Sequence, residues 1–349
     1  MVFRRFLPAV VCCFLLLSAR AQQDTLCVRG GDTLRYRYTP LPATAPAAET
    51  QQQPKRKDNF WSRIFHGNVD RTFEKKIDFS FIGAPNYSKE ASVGIGVLAS
   101  GLYRVDRTDS LTPPSDVSFF GNFSLSGFYM FGVSGNTLFN HNRSRVIYEV
   151  SFGSKPLEFW GIGYEAGRFN QSADYIRKQV KFDAGYLYEV WRHLYVGGSV
   201  LFSHTKGTDF DDWGIDYLAG QKLHYTLSGI GMTLQYDSRD FIPAPERGTF
   251  LMVKQVIYPK GLGNSGKTLY KTTATADYYQ RLWRGAVLAT DIFGEFNSSG
   301  MPWCMLAELG GGYRMRGYYL GRYIDNNILS CQIEYRQRIW RRIGCAVWG

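Results

Sequence analysis

The chain has 349 residues, a formal net charge of +11, 16% aromatic residues and 37 glycines, and its mean hydropathy is -0.25. Its basic residues are spread along the sequence rather than gathered on one helix, so nucleic acid is not an expected partner. No segment beyond residue 21 is apolar over the roughly 20 residues that a transmembrane helix needs. The composition therefore excludes a helical membrane protein.

Residues 1–21 have the three parts of a secretory signal peptide. Arg4 and Arg5 give a basic start, and VVCCFLLL is an apolar run that is too short to span a bilayer. Ala19-Arg20-Ala21 is a small-x-small cleavage site. We predict cleavage after Ala21 and export from the cytoplasm.

Residues 22–75 differ in composition from the rest of the chain. They include PLPATAPAAETQQQPKRK, which is rich in Pro, Ala and Gln and shows no apolar period. Such a composition is typical of a linker, so we predict a flexible periplasmic leader over this segment.

From residue 76 the sequence alternates between apolar and polar residues, which is the period of a strand with two different faces. In VKFDAGYLYEV (180–190), Val180 and Phe182 alternate with Lys181 and Asp183, and KTLYKTTATADYYQR (267–281) shows the same pattern. Both apolar faces carry tyrosines towards their ends, which is typical of strands that cross a membrane. A soluble β-sandwich also alternates, but its strands are usually shorter, at about 5–6 residues. The prediction is an all-β fold, an antiparallel transmembrane β-barrel over residues 76–349.

The alternation predicts thirteen strands within this region. They lie near residues 76–83, 91–104, 117–130, 143–153, 159–167, 178–190, 193–206, 223–238, 248–258, 268–282, 285–296, 326–338 and 342–349. We expect tight turns at VWRH and LWRG and long loops at 207–222 and 298–325. The segment 106–116 is long where an outer-membrane barrel would have a short turn.

Motifs that resemble catalytic sites are interpreted as structural. GLGNSGKT (261–268) satisfies the P-loop expression, but a strand pattern follows it where a phosphate site needs a helix, so we predict a hairpin loop. Ser203 and His204 are adjacent, and only convergence with a carboxylate or amide would indicate a lipid hydrolase. The cysteines beyond the signal peptide match no zinc spacing: Cys27, Cys304, Cys331 and Cys345. We predict no enzyme activity, no cofactor and no metal.

The segment YDSRDFIPAPERGTFL (236–251) ends one predicted strand and opens the next after a proline-bearing turn. It resembles the hairpin motif of the bacterial surface antigen family, which includes the BamA/TamA assembly factors and two-partner secretion transporters. The matching positions are Asp237, Arg239, Asp240, Pro245, Arg247 and Gly248, with Ser238 in place of the family's threonine.

The long loop at 298–325 resembles the same family. Its barrels carry a Gly-Gly run and an Arg-Gly-aromatic tip on a loop that folds back into the barrel, and the matching residues are Gly310, Gly311, Arg316, Gly317 and Tyr318. An arginine withdrawn into a barrel needs a partner, because a buried unpaired charge is costly. In ILSCQIEYRQR (328–338) the alternation places Glu334 inward, and Glu334 matches the family's carboxylate. We expect a bidentate Arg316–Glu334 pair that pins the loop.

The resemblance implies a protein of the cell outer membrane that acts in outer-membrane protein assembly or secretion without covalent chemistry. Expected partners are outer-membrane lipids and lipopolysaccharide, with unfolded outer-membrane protein clients or periplasmic accessory proteins. The alternative is a passive pore or structural barrel plugged by the loop. The leader is too short for the family's periplasmic POTRA domain. Because the family's barrels have sixteen strands and a further aspartate beyond the position of Gly349, we expect a 16-stranded type that is truncated at the C-terminus.

Overall fold

The computed structural model describes residue 72 and residues 76–88, 92–108, 112–139, 141–242, 244–311, 314–340 and 343–349. The predicted signal peptide, and the predicted leader apart from Thr72, lie outside the described residues. Within those ranges, none of the helices has the length and apolar character to cross a bilayer.

Most of the described residues belong to one 13-stranded antiparallel sheet, which confirms the all-β prediction. Its strands are β1 Ile77–Ser88, β2 Ser92–Tyr103, β3 Ser115–Ser124, β4 Tyr129–Phe139, β5 Ser144–Phe159, β6 Ala173–Trp191, β7 Leu194–Thr208, β8 His224–Asp237, β9 Gly248–Tyr258, β10 Leu269–Trp283, β11 Ala286–Asn297, β14 Asn327–Trp340 and β15 Ile343–Trp348. Each strand pairs with the next along this series, and β1 and β15 form the two edges of the sheet among the described residues.

The other elements lie in the connections. They are α1 Tyr164–Phe169, α2 Asp212–Tyr217, two 3-10 turns at Lys260–Leu262 and Trp303–Met305, and the short strands β12 Ala307–Leu309 and β13 Tyr323–Asp325, which pair with each other.

The sheet has one apolar face and one polar face. On β6, Val180, Phe182 and Tyr186 are exposed, whereas the alternate residues carry Lys181 and Asp183. The pattern continues across the sheet, because paired residues lie on the same face, and Met232 on β8 is 69% exposed. So many exposed apolar side chains on one face are unfavourable in water and suit contact with lipid chains.

Two predicted strands near the N-terminal end are wrong. The segment 117–130 holds most of β3 and the first two residues of β4, with a turn at 125–128 between them. The segment 159–167 is not a strand, because β5 continues to Phe159 and α1 begins at Tyr164. The two errors cancel in the strand count. Aromatic residues on both sides of the short turn at Gly127 conceal the break, since the apolar alternation passes through it with little interruption.

Successive connections alternate between the two ends of the sheet because every pairing of neighbours is antiparallel. We call the end that carries connections 160–172, 209–223 and 298–326 the loop end, and the opposite end, with the tight turns at 192–193 and 284–285, the turn end. The predicted tight turns are confirmed. The connection from Tyr103 to Ser115 belongs to the turn end and is long, as the sequence indicated.

Candidate functional site

The base of the connection 298–326 packs into an aromatic cluster at the loop end. Trp303 is 1% exposed, and its ring lies 5.6 Å from that of Tyr175, 5.5 Å from that of Phe210 and 6.2 Å from that of Phe159. The indole Nε1 of Trp303 donates a hydrogen bond to the Lys222 carbonyl at 3.1 Å. The base is therefore buried by side chains from β5, β6 and the connection that carries α2.

Glu308 on β12 forms a buried ion pair with Arg177 on β6. Both guanidinium Nη atoms contact the carboxylate, and Nη2 donates to Oε2 at 3.1 Å. Only 9% of the Arg177 side chain and 19% of the Glu308 side chain are exposed. A bidentate arginine–carboxylate pair holds both side chains in one geometry and also pairs their opposite charges. Neither residue was identified as a site residue from the sequence.

The pKa of the Glu308 carboxyl lies below its ordinary value. Burial acts to raise this pKa, but the attraction of Arg177, supported by Lys181 and Lys155, outweighs burial. The free energy that Glu308 contributes to loop docking is therefore fully present above its ordinary pKa of 4.5 and is lost as the pH falls through the lowered value.

We expect hydrogen exchange of residues 305–309 and 323–325 to stay slow from neutral pH down to about pH 5 and to accelerate as the pH falls below the ordinary pKa of 4.5. Rates would be corrected for the intrinsic pH dependence of exchange. β8 provides the internal reference, because it should show no such step. Equal protection of the loop base on both sides of that pH would contradict the assignment.

The tip of the loop brings the predicted pair together. Nη2 of Arg316 donates to Oε2 of Glu334 at 2.8 Å, and its guanidinium lies 4.7 Å from the centroid of the Trp348 ring. The contact is single rather than the expected bidentate pair, because Nε of Arg336 occupies the other carboxylate oxygen at 2.5 Å. Nε of Arg316 is buried without a partner in the described part of the chain.

A second arginine of the tip, Arg314, was not identified from the sequence. Its Nε and Nη2 donate to the two oxygens of Asp291 on β11 at 3.2 and 3.3 Å, and its guanidinium lies 3.9 Å from the centroid of the Phe293 ring. Arg314 and Arg316 are two residues apart, and Asp291 falls on the polar phase of its strand. The spacing of the two arginines and the polar phase of Asp291 can be read from the sequence, but alternation does not indicate which arginine pairs with which carboxylate.

The remaining residues of the tip motif shape the turn. Gly310 has φ +104, and a Cβ there would lie 2.4 Å from the Tyr319 carbonyl oxygen, so a side chain would not fit. Gly311 N–H donates to the Tyr318 carbonyl at 3.1 Å, which closes the turn around Gly317. The Tyr318 side chain is 49% exposed.

The predicted hairpin motif forms a cluster at the turn end, centred on Asp237. Arg239 donates to both oxygens of Asp237 at 2.8 and 3.0 Å. Arg145 on β5 donates to Oδ2 of Asp237 at 2.8 Å and to the Tyr195 hydroxyl at 2.9 Å. The Asp237 side chain is 1% exposed. Arg145 was missed in the sequence because it lies 92 residues from its partner.

The rest of the hairpin motif builds the turn itself. Oδ1 of Asp240 accepts hydrogen bonds from the backbone N–H groups of Glu246 at 3.0 Å and Arg247 at 3.2 Å. Pro245 is buried, and the Arg247 side chain is exposed. Gly248 has φ +114, and a Cβ there would lie 2.4 Å from the Ser238 carbonyl oxygen.

The motif and the loop tip approach each other on the polar face near the turn end. Asp291, the partner of Arg314, pairs with Asp277, and Asp277 pairs with Phe250. The Arg239 guanidinium lies 4.3 Å from the centroid of the Phe250 ring.

Two other sequence features take structural roles. Residues 261–268 connect the antiparallel strands β9 and β10 and are followed directly by β10 at Leu269, so the predicted hairpin loop is confirmed. Ser203 and His204 are neighbours on β7 and point to opposite faces of the sheet. His204 Nδ1 hydrogen bonds with the Thr226 hydroxyl at 2.8 Å. The strand therefore does not place the serine hydroxyl beside the imidazole.

Comparison with known proteins gives the same architecture. A family profile, the Omp85 superfamily domain, matches residues 133–344. CdiB from Escherichia coli is similar at 12% identity and a TM-score of 0.52, over 76% of this chain and 49% of that chain. BamA from Haemophilus ducreyi lacking POTRA domains 1-3 is similar at 12% identity and a TM-score of 0.49, over 78% of this chain and 56% of that chain. This chain thus spans about half of each, and no curated protein matches it.

Proposed function

The chain belongs to the Omp85 superfamily, and from that premise we propose that this BamA/TamA-like outer-membrane β-barrel acts in outer-membrane protein assembly or secretion. The observation that supports the proposal most directly is the 2.8 Å contact between Arg316 at the loop tip and Glu334 on β14. It holds a folded loop against the polar face of the sheet, which becomes the lumen side of a barrel.

The proposed mechanism uses no covalent chemistry. Unfolded outer-membrane protein clients would add strands to an exposed sheet edge by backbone hydrogen bonding. The loop tip would hold β11 and β14 in a fixed arrangement while the edge accepts a client. Outer-membrane lipids and lipopolysaccharide would surround the apolar face, and accessory proteins would meet the turn end in the periplasm.

A second candidate function is a passive pore or structural barrel. The observation that favours it is the buried aromatic base of the loop, because Trp303 and its neighbours fill the loop end as a plug would. In planar bilayers an assembly factor and a passive pore should both conduct poorly while the loop is docked. A barrel that carries out no assembly would still be expected to conduct once the loop is displaced.

Replacing Arg316 with alanine should slow assembly and increase conductance. In liposomes, the native protein should accelerate folding of an unfolded outer-membrane client. Arg316→Ala should remove most of that acceleration, about tenfold, because a lost charged hydrogen bond costs about 1.5–3 kcal/mol. The folding rate is followed by the gel shift between unfolded and folded client.

Arg168→Ala is the matched control, because Arg168 is an exposed arginine of the loop end whose guanidinium lies 5.0 Å from the centroid of the Phe169 ring. It should leave both client folding and conductance unchanged. If the native protein accelerates no client, and its depletion leaves the outer-membrane proteome unaltered, the assembly role is wrong. Increased conductance of Arg316→Ala would then support the pore.

A further inference from the structure

We propose that Glu308 is a second positioning residue of the loop, one that holds its base on β6 independently of the tip contact made by Arg316. This role goes beyond the proposed assembly function, because docking of the loop can be measured in the isolated protein and does not depend on whether the protein assembles clients. It separates connection 298–326 into two units with different attachments. The base comprises residues 301–309 and 319–325, and the described part of the tip comprises residues 310–311 and 314–318.

The base pair is better buried than the tip contacts. The side chains of Arg177 and Glu308 are 9% and 19% exposed, whereas Arg316 and Arg314 at the tip are 31% and 34% exposed. The base pair is also bidentate, and the Arg316 contact is single. Charge pairs that are more shielded from water are screened less, so the base pair is the stronger attachment per contact.

The base and the tip are attached at different places on the sheet. In the sheet order, β6 and β14 are six pairings apart (β6-β7-β8-β9-β10-β11-β14), which is about 29 Å along the wall at the usual spacing of about 4.8 Å. The base reaches only the loop-end start of β14, because Ala307 pairs with Asp325 and β14 begins at Asn327. Glu334 lies seven residues further along β14, about 23 Å at about 3.3 Å per residue, so the tip contact is distant from the base. Losing one contact leaves the geometry of the other intact.

The pairing of β12 with β13 closes the base. Glu308 pairs with Ile324 and Leu309 with Tyr323, and Gly321 N–H donates to the Leu309 carbonyl at 3.0 Å. The Ile324 carbonyl accepts from Gly163 N–H at 2.7 Å, next to α1. The tip can therefore leave the wall while the base keeps its own pairing and its contacts with the loop end.

Removing the Glu308 charge would leave Arg177 among other cations. Lys181 and Lys155 both act on the Glu308 carboxylate and lie on the same polar face as Arg177. A buried guanidinium without a carboxylate carries a large desolvation cost, and nearby lysines add repulsion. The base should then dissociate from β6 and expose the residues beneath it.

Cys304 provides the probe for base docking. It is 5% exposed and lies four residues before Glu308 in the base. In a variant that keeps Cys304 as its single cysteine, a water-soluble maleimide should label the docked protein slowly. Glu308→Gln should increase the labelling rate about tenfold or more, because transient opening of the base becomes more frequent. Arg316→Ala should leave that rate within about twofold of the unchanged protein.

Asp183→Asn is the matched control, because it breaks an ion pair of the wall, with Lys254 at 2.5 Å, that does not involve the loop. Arg177→Met should accelerate labelling as Glu308→Gln does, and the double variant should label no faster than either single variant, since both remove one interaction. Folding of each barrel is checked by its heat-dependent gel migration.

The proposal is overturned if folded Glu308→Gln labels at the native rate, if the effects of Glu308→Gln and Arg177→Met multiply, or if Arg316→Ala accelerates labelling as much. If Glu308→Gln does not fold, Glu308→Asp replaces it, because aspartate keeps the charge and shortens the arm. The labelling rate of Glu308→Asp should lie between the native rate and the rate of Arg177→Met. If the two single variants Glu308→Asp and Arg177→Met both fold and both label at the native rate, the proposal is also overturned.

Discussion

Replacing Asp237 with asparagine is expected to lower the free energy of unfolding of the barrel by about 3–5 kcal/mol, the cost of removing one partner from a buried ion pair. Asp237 is the shared acceptor of Arg145 and Arg239, and its side chain is 1% exposed. Without the carboxylate charge, the Arg145 guanidinium, which is 5% exposed, is left buried with the Tyr195 hydroxyl and Asn142 as neutral partners.

The free energy of unfolding would be measured by urea unfolding in lipid, with tryptophan fluorescence as the signal. Asp212→Asn is the control, because Asp212 is an exposed aspartate in the first turn of α2. Combining Asp237→Asn with Arg145→Met should recover part of the lost stability, since the stranded charge is removed. An Asp237→Asn protein as stable as the control would show that solvent reaches this cluster and screens both arginines.

Replacing Trp303 with alanine is expected to destabilise docking of the loop base by about 3–5 kcal/mol, as for large buried aromatic side chains elsewhere. The change removes edge-to-face contacts with Tyr175, Phe210 and Phe159 together with the hydrogen bond to the Lys222 carbonyl. The effect should be local, because Trp303 lies in a connection and pairs with no strand of the sheet.

Hydrogen exchange gives the measurement for Trp303→Ala. Residues 301–309 and 319–325 should lose protection, while β8 and β9 exchange as in the native protein. Trp191→Ala is the control, because that indole is 77% exposed on the opposite end of the sheet. Loss of protection throughout the sheet would mean that the cluster supports the whole barrel rather than the loop.

Alternation predicted the strands well where the two faces differ in polarity. Lys181 and Asp183 on β6 alternate with the exposed side chains of Val180 and Phe182, so the period of two is unambiguous. The prediction failed at 117–130 and 159–167, where aromatic and glycine residues interrupt the polar phase. The count of sixteen strands and the C-terminal truncation remain predictions.

The site was predicted only where a family motif gave a residue its partner. Arg316 and Glu334 were paired on that resemblance, and the structure places them 2.8 Å apart in a single contact; their role as a lock remains a prediction. Glu308 and Arg177 could not be paired from the sequence, because they are 131 residues apart and nothing local links them. The same holds for Arg145 and Asp237 at the turn end. Alternation gives the face of a residue but not its distant neighbour.

The wide separation of β6 and β14 along the wall makes connection 298–326 a tether across the interior. Eight positions of chain join Glu308 to Arg316, and an extended chain reaches at most about 3.3–3.6 Å per residue. With both ends attached, the two strands cannot move apart beyond that reach. The turn closed by Gly311 N–H and the Tyr318 carbonyl leaves slack in this chain, so small dilations can be accommodated by straightening it. Dilation of the cross-section beyond the extended reach would require one end to detach, so the connection sets an upper limit on the width of the interior while both contacts are made.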